Sequence, residues 1–481
     1  MKKYQVALLA GLVGSLCGSQ AFASATTETA DVIAYFSGST AVSSGIANAV
    51  KSICDTATFE TYVDKGANNT VYFCKSKGVT GLTDGTKIQV RFTGASTVVG
   101  SNTFTTAVGG SILGVAPVVY SEKLNFLAVS PSIAAACSGD PLVKATCDEA
   151  VPGVLSPAVP HFGITDLYPA AFILQNAPAA TGGVGSDQIA KMTIKPGPIQ
   201  IFNTPVTKSL RNALQDSQVS TGGLAATCTT DATTRELGSC TPTISGANIA
   251  KIFGGQVTKW SEVDPKLDAS KAINVVRREI GSGTQATLNL VGMSAQYTNT
   301  SKAYPCVGGA NPVELNLSNT TVVSTGGNMV TALNNAETAG NWAIGLLDVT
   351  KNGAGADTAP SSSFRYLKVD GVAPTLSTVA SGAYKFIAQS TLNRLTAFPG
   401  SAQELAIVNA VTTALGDPTV IAKGNTSATL KQNFGQGGYM VVSTTSCTSD
   451  TDCAANPVTK YRFASNPADT PTGYCSAPSA F

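Results

Sequence analysis

The residues best suited to chemistry are Arg278 and the turn Gly281-Ser282-Gly283-Thr284 that follows it. The turn lies between an apolar run, residues 272–276, and a helix-like run that begins at Gln285. A helix N-terminus presents unpaired N–H groups and the positive end of the helix dipole, and glycine lets the backbone approach a ligand closely. With two hydroxyls and a guanidinium added, such a turn can hold an anion. The alternative is an ordinary capped turn with an arginine facing solvent, because short Gly/Ser motifs often occur without a ligand.

Three other segments repeat the arrangement of an apolar run followed by a small polar turn. Their turns are residues 37–40, which precede a helix-like segment, residues 93–96 and residues 165–166. Strands that feed polar turns and helix starts are typical of a mainly parallel sheet, where ligands bind beyond the carboxyl ends of the strands. We therefore expect the four turns, near residues 38, 94, 165 and 282, to converge on one cleft.

The first 23 residues have the pattern of a secretory signal peptide. Lys2 and Lys3 form a basic start, residues 6–17 are apolar but too short to span a bilayer, and Ala21-Phe22-Ala23 has the spacing of a cleavage site. No later run is long and apolar enough to cross a membrane. The sequence thus predicts an exported protein, either periplasmic or secreted.

Removal of the signal peptide takes away Cys17 and leaves ten cysteines, an even number that favours disulfides in an exported chain. Sequence proximity predicts four local pairs and leaves two cysteines to pair with each other: Cys54–Cys74, Cys137–Cys147, Cys228–Cys240, Cys447–Cys453 and Cys306–Cys475. The alternative is a metal cluster, but CxxC spacing is missing and His161 is the single histidine.

Composition argues against several classes of function. Without the signal peptide the chain has 29 basic and 29 acidic residues, so nothing predicts a surface for nucleic acid or for anionic membranes. The Gly-x-Ser-x-Gly elbow of hydrolases is missing, and one histidine leaves little for a serine triad, so we expect neither an enzyme nor a cofactor. The remaining 458 residues are too many for one core and predict two α/β lobes.

Five segments of the chain have recognisable motifs. One is the segment 275–284, with Arg278 and Gly281-Ser282-Gly283-Thr284. The other four are Ile252-Phe253-Gly254-Gly255-Gln256-Val257-Thr258-Lys259-Trp260, Phe162-Gly163-Ile164-Thr165-Asp166, Ala343-Ile344-Gly345 and Lys368-Val369-Asp370-Gly371-Val372-Ala373-Pro374. The five resemble, in the same order, segments of the periplasmic phosphate-binding proteins of ABC transporters, and the segment 275–284 is similar to the ligand loop of that family. The resemblance runs from residue 31 to about residue 415, interrupted by two insertions, residues 54–86 and 97–160.

The resemblance implies a fold of two α/β lobes, that of a type II periplasmic binding protein. Two mainly parallel sheets would be joined by two chain crossings, near residues 197 and 388, with disulfide-bonded insertions added. Lobe one would then comprise residues 24–197 and 388–481, and lobe two residues 198–387.

The resemblance also implies a set of ligand-binding residues. Arg278 would pair with phosphate, and Ser282, Gly283 and Thr284 would donate hydrogen bonds to it. Asp166 would accept the proton of a protonated phosphate, although the residues alone favour a helix cap at this position. The remaining donors would be Thr40 and the N–H of Ala41, with Ser39 beside them as a cap or a ligand, and a serine that falls on Ala95 or Ser96, near Thr93.

The sequence leaves three functions open. The first is a monomeric solute-binding protein that captures inorganic phosphate or a similar oxyanion, for delivery to an ABC permease. The second is an extracellular interaction or structural protein that reuses the fold, with ligand binding altered or lost; the insertions and the Cys-rich tail favour it. The third is a cleft retuned for another oxyanion or a small carboxylate.

Overall fold

A computed structural model describes much of the chain between residues 25 and 480. The described residues are 25, 27–66, 68–96, 98–99, 108–172, 184–289, 319–351, 363–425, 431–432, 435–436, 438–462 and 479–480. The predicted signal peptide and the predicted Cys306–Cys475 pair lie outside these residues.

The strands of the described residues are short and numerous. In chain order they are β1 (Val32–Gly38), β2 (Glu60–Asp64), β3 (Asn69–Lys75), β4 (Lys87–Thr93), β5 (Ala95–Ser96), β6 (Val98–Val99), β7 (Val108–Gly109), β8 (Lys123–Leu127), β9 (Cys137–Ser138), β10 (Ala145–Cys147), β11 (Leu155–Ala158), β12 (Phe162–Thr165), β13 (Met192–Asn203), β14 (Val206–Thr207), β15 (Thr243–Ile244), β16 (Asn274–Arg278), β17 (Thr320–Val323), β18 (Ala343–Ile344), β19 (Leu347–Asp348), β20 (Phe364–Arg365), β21 (Lys368–Val369), β22 (Ile387–Leu395), β23 (Lys431–Gln432), β24 (Gly435–Gln436), β25 (Tyr439–Val442), β26 (Val458–Thr459), β27 (Tyr461–Arg462) and β28 (Ser479–Ala480).

The α-helices flank these strands. They are α1 (Ser43–Ser52), α2 (Ala116–Tyr120), α3 (Ser186–Ile189), α4 (Lys208–Ser220), α5 (Ala232–Arg235), α6 (Gly246–Phe253), α7 (Gly283–Thr287), α8 (Gly326–Thr338), α9 (Leu376–Ala380), α10 (Ala402–Leu415), α11 (Pro418–Asn425) and α12 (Asp450–Ala455). Local sequence sets their ends: α10, for example, begins with a capping box in which Ser401 and Glu404 bond each other's backbone N–H groups.

The main sheet is built around β1. This strand pairs in parallel with β4, from Val32↔Ile88 to Ser37↔Thr93, and with β12, from Phe36↔Phe162 to Gly38↔Ile164. The carboxyl ends of the three strands therefore meet at one edge of the sheet. One face buries the alternate apolar residues of β1 and β4 under α1 and α10, in a core that includes Phe36, Val90 and Val411.

Two adjacent antiparallel strands, β13 and β22, carry the chain between the main sheet and a second sheet. They pair from Met192↔Leu395 to Ile201↔Ile387, with an irregularity between Pro196 and Ile199. A late strand, β25, lies on the other side of β13. The side chain of its Tyr439 reaches the turn before α1 and donates a hydrogen bond to the backbone oxygen of Ala41, at 2.5 Å.

The second sheet has the order β17-β16-β18-β14-β20, with β16 parallel to both of its neighbours. Beside it, Glu236 pairs with two arginines whose side chains are 1% exposed, Arg211 and Arg365. Trp260 is fully buried in the large core, as its apolar surroundings in the sequence predict for a packing residue.

The insertions contribute more to the sheet than the sequence indicates. Within residues 54–86, β2 and β3 form a hairpin that extends the main sheet beyond β4, and β10 and β9 extend it further. Disulfides join Cys54 to Cys74 and Cys137 to Cys147 in this extension. Two others, Cys228–Cys240 and Cys447–Cys453, close the other predicted local loops.

Among the described residues, no helix on its own has the length and apolarity to cross a membrane. The helices α10 and α11, bent by 68° where they meet, would satisfy that test only if taken as one, which is a weak indication that buried core helices also give. The same part of the chain brings no three metal-ligating side chains together.

Candidate functional site

The turn after β1 begins the site. Gly38 has a φ of 127° and lies so close to the backbone of Ile164 that a Cβ there would overlap its carbonyl oxygen. Ser39 then caps the short 3-10 turn Thr40–Val42, because its hydroxyl accepts from the N–H of Ala41 at 3.1 Å. The same hydroxyl donates to Asp166 Oδ1, so Ser39 joins two of the predicted turns.

Asp166 lies just beyond β12 and is only 2% exposed. Its Oδ1 also accepts from the Gln200 side-chain amide at 2.8 Å, and its backbone N–H donates to the Ser111 hydroxyl at 3.1 Å. Burial raises the pKa of the Asp166 carboxyl, and the bonds from Ser39, Gln200 and Ser111 and the charge of Arg278 oppose the rise. Asp166 caps no helix here, since the next turn, Pro169–Ala171, begins at Tyr168 without a side-chain cap.

Arg278 is the last residue of β16 and is 3% exposed. Its Nη2 donates to the backbone oxygen of Ser324 at 2.6 Å, and its own N–H donates to the Gln285 side chain at 3.2 Å. Its Nε–H has no partner among the described residues. Burial lowers the pKa of the guanidinium, while Glu279, Asp166 and Asp348 counteract that effect.

The predicted anion turn starts a helix, as its sequence suggests. Gly281 has a φ of 91°, which lets the chain turn sharply, and Ser282 caps α7 by accepting from the N–H of Gln285 at 3.4 Å. Ser282, Gly283 and Thr284 are all buried. Their backbone and hydroxyl groups therefore face protein rather than bulk water.

The turn of α7 packs directly onto the turns of the main sheet. A Cβ added to Gly283 would lie 2.5 Å from Asp166 Oδ2 and 2.6 Å from Asp166 Cβ, and would also overlap the Ser111 hydroxyl. The N–H of Ile112 donates to the backbone oxygen of Gly281 at 3.0 Å. The structure thus brings Ser39, Asp166 and Ser282–Gly283 into one buried cluster.

Sequence reasoning missed Ser111, which lies in the segment interpreted as an insertion, residues 97–160. The Ser96 hydroxyl, by contrast, exchanges hydrogen bonds with the backbone of Asn125, at 2.8 and 3.2 Å, and its strand β5 pairs with β7 one turn before Ser111. A signal was present, because Gly109-Gly110-Ser111 precedes an apolar helical run and repeats the pattern of the other turns. Thr40 is half-buried, and its methyl group lies against Gly94, in the turn after β4.

Two more carboxylates border the cluster. Burial raises the pKa of Glu279, which follows Arg278, and of Asp348 on β19. Asp348 accepts from the N–H of Thr350 at 3.2 Å, and the charges of Lys351 and Arg278 favour its ionised form. Together with Asp166, these carboxyl groups interact electrostatically with Arg278, so in their ionised forms they would leave little positive charge to neutralise a ligand with two negative charges.

A sequence model of the PBP superfamily domain matches residues 224–393. No curated protein matches the chain by sequence. The match confirms the resemblance to periplasmic binding proteins over these residues, and the sheets, helices and disulfides of the structure confirm an α/β fold with disulfide-bonded insertions.

Several solved structures are similar to the chain at low identity. One is named as a phosphate ABC transporter substrate-binding protein from Clostridium perfringens, with bound phosphate, at 13% identity and a TM-score of 0.41, covering 82% of this chain and 97% of that one. PstS from Borrelia burgdorferi has 12% identity, the same coverage and a TM-score of 0.33. An ABC-type phosphate transport receptor from Vibrio cholerae has 13% identity and a TM-score of 0.29, over 53% of this chain and 74% of that one.

Proposed function

We propose that the protein is an exported solute-binding protein that captures inorganic phosphate, or a similar oxyanion, between two lobes. Lobe one comprises residues 24–197 and 388–481 and lobe two residues 198–387. The observation that carries the proposal is the buried cluster in which Asp166 meets Ser39 and Gly283, with Arg278 close enough to shift the pKa of Asp166.

The roles of the residues follow from their chemistry. Arg278 supplies the positive charge, and its unpaired Nε–H is a donor that a ligand oxygen can satisfy. The remaining donors are neutral, as suits a dry cleft where an unpaired charge is costly: the hydroxyls of Thr40, Ser111, Ser282 and Thr284, and the N–H group of Gly283. The Ser39 hydroxyl and the Ala41 N–H, which donate to Asp166 and to Ser39 in the structure, would exchange those bonds for bonds to the ligand. In this proposal each of these groups binds the ligand and none carries out a reaction on it.

Asp166 sets the selectivity in this proposal. An ionised carboxylate accepts a hydrogen bond from the hydroxyl of hydrogen phosphate but repels sulfate, which has no hydroxyl to donate at neutral pH. Two donors already bond Oδ1, so Oδ2, on the side of Gly283, is the oxygen that receives the ligand proton.

Calorimetric titration with phosphate, arsenate and sulfate tests the function. We expect phosphate and arsenate to bind the wild-type protein, and Arg278→Ala to lose that binding. The matched control is Arg277→Ala, because the neighbouring residue on a strand points to the opposite face and Arg277 is half-buried. If phosphate gives no binding heat to the folded wild-type protein, the proposal is wrong.

We further propose that the protein is periplasmic or secreted and delivers its ligand to an ABC permease as a monomer. The support is the signal-like pattern of residues 1–23 and the disulfides of the described residues. The intact mass of protein recovered from a secreting host tests the export: cleavage before Ser24 is expected, and a full-length cytoplasmic product would contradict it.

A further inference from the structure

Gln200 holds a position that the proposed roles do not use. It lies on β13, one of the two strands that carry the chain between the sheets, and it is completely buried. Its Nε2 donates to Asp166 Oδ1 at 2.8 Å. Since a carboxylate oxygen only accepts, this bond fixes the orientation of the amide, with the NH₂ group toward Asp166 and the oxygen turned away from it.

The amide oxygen of Gln200 is an unused hydrogen-bond acceptor. Oε1 is buried and has no hydrogen-bond partner among the described residues. A buried acceptor without a partner is destabilising, and such groups are rare in folded proteins. Because Oε1 and Nε2 share one carbon atom, the unpaired oxygen lies within a few ångströms of the Asp166 carboxylate.

The cluster therefore contains both a buried hydrogen-bond donor and buried acceptors that a ligand could bond. Arg278 Nε–H is a buried donor without a described partner, which calls for a ligand oxygen. Asp166 and Gln200 Oε1 are acceptors, which call for two ligand protons. A small tetrahedral oxyanion that carries two hydroxyl groups and one negative charge meets all three requirements.

The surrounding charges favour the same ligand. Asp166, Glu279 and Asp348 each interact electrostatically with Arg278, and Lys351 does so with Asp348. The Tyr439 hydroxyl, from β25, is near enough for Asp166 and Asp348 to affect it, and it stays neutral because burial raises its pKa. A second negative charge on the ligand would add repulsion without a matching cation.

We propose that Gln200 is a second hydrogen-bond acceptor for the hydroxyl groups of the ligand. The cleft thereby selects the singly charged, doubly protonated form of a phosphate-type oxyanion over its dianion. The inference rests on the proposed function and names the ligand form that this same site takes. Gln200 contacts the ligand through Oε1 and orients Asp166 through Nε2.

Calorimetry across a pH series tests the wild-type protein first. Above the second pKa of phosphate, the affinity for total phosphate should fall about tenfold per pH unit, as the singly charged form is depleted. Titrations in buffers of different ionisation enthalpy should show about one proton taken up per phosphate bound in that range. An affinity that stays constant there, without proton uptake, overturns the inference but leaves phosphate binding intact.

The second arm separates a direct contact from a positioning role. Singly charged methylphosphonate offers one hydroxyl where dihydrogen phosphate offers two. Gln200→Leu should weaken phosphate about tenfold more than methylphosphonate, because both ligands lose the orientation of Asp166 through Nε2 but only phosphate also loses a hydrogen bond to Oε1. Equal weakening of both ligands would mean that Gln200 acts only through Asp166, and would overturn the inference.

Gln389→Leu is the matched control. Gln389 lies on the adjacent strand β22, is also buried and also has an unpaired Oε1, but it pairs with Ile199 and so points to the opposite face from Gln200. It should keep the wild-type ratio of the two affinities. A wild-type protein that binds phosphate at no pH would remove the proposed function itself, and this inference with it.

Discussion

Replacing Gly283 with alanine tests how closely the two proposed lobes approach each other, at the contact between Gly283 and Asp166. The added Cβ would lie 2.6 Å from Asp166 Cβ, whereas carbon atoms in contact are normally about 3.5–4.0 Å apart. The shortfall is roughly 1 Å. Asp166 cannot swing aside to relieve it, since Cβ is attached to the backbone and the carboxylate is held by Ser39 and Gln200.

We therefore expect Gly283→Ala to keep the start of α7 about 1 Å away from Asp166. That displacement removes the donors of Ser282 and Gly283 from hydrogen-bond distance of a ligand held by Asp166. Two hydrogen bonds to a charged ligand contribute about 1.5–3 kcal/mol each, so phosphate affinity should fall by roughly 100-fold or more. The free energy of unfolding should change little, because separation of the lobes relieves the overlap.

Calorimetric titration with phosphate and a thermal melt of the same sample measure both effects. Gly327→Ala is the control: Gly327 also lies at a helix start, in α8, but a Cβ there would be 3.7 Å from its nearest neighbour, the Thr325 hydroxyl. It should bind as the wild type does. If Gly283→Ala binds phosphate with unchanged affinity, the lobes do not meet at this glycine when the ligand is held, and the reasoning fails.

Three further predictions concern other residues. Ser111→Ala should weaken phosphate binding about tenfold in calorimetry, whereas Ser96→Ala should not, because the Ser96 hydroxyl bonds the Asn125 backbone; equal losses would contradict this. Because burial raises the pKa of Asp166, sulfate binding should strengthen as the pH falls through that pKa and the carboxyl becomes a donor. Asp166→Asn should bind sulfate more tightly than the wild type does at neutral pH; a variant no better than the wild type would refute the role of the carboxylate. Glu236→Gln should lower the free energy of unfolding by about 3 kcal/mol in denaturant titrations, since it removes the carboxylate that pairs with two buried arginines. Asp216→Asn, at a pair whose aspartate side chain is 56% exposed, should change it by less than about 1 kcal/mol; equal effects would show that burial of the pair is unimportant.

Much of the candidate site could be predicted from the sequence, because each turn has a recognisable local pattern. Gly38, Asp166 and Ser282 each follow an apolar strand, and the parallel pairing of β1 with β4 and β12 brings strand ends to one edge. The ends of α10 were equally evident, from Ser401 at its start and Gly416 after its end. The four short disulfide loops also follow from proximity in the sequence.

The residues that sequence reasoning missed depend on tertiary contacts. Ser111 follows strand β4 only after a long detour, so its pattern was hidden inside an apparent insertion. Gln200 stands within the apolar run Ile199–Phe202, where nothing in the sequence tells which face of the strand meets Asp166. The polar look of residues 54–86 likewise concealed two strands, whose pairing with β4 is a long-range contact.

The hydrogen bond from Tyr439 to Ala41 has a consequence for the order in which the protein matures. The two residues are separated by 398 positions, yet the Tyr439 hydroxyl bonds the backbone of the first turn, and the Ser44 hydroxyl is bonded to the same group at 2.8 Å. As the chain emerges from the ribosome, that turn is synthesised early but remains without its brace until nearly the whole polypeptide has appeared. The proposed ligand binding therefore depends on synthesis of the last part of the chain. A truncated product that ends before β25 would contain every predicted binding residue, but its first turn would lack the hydrogen bond from Tyr439.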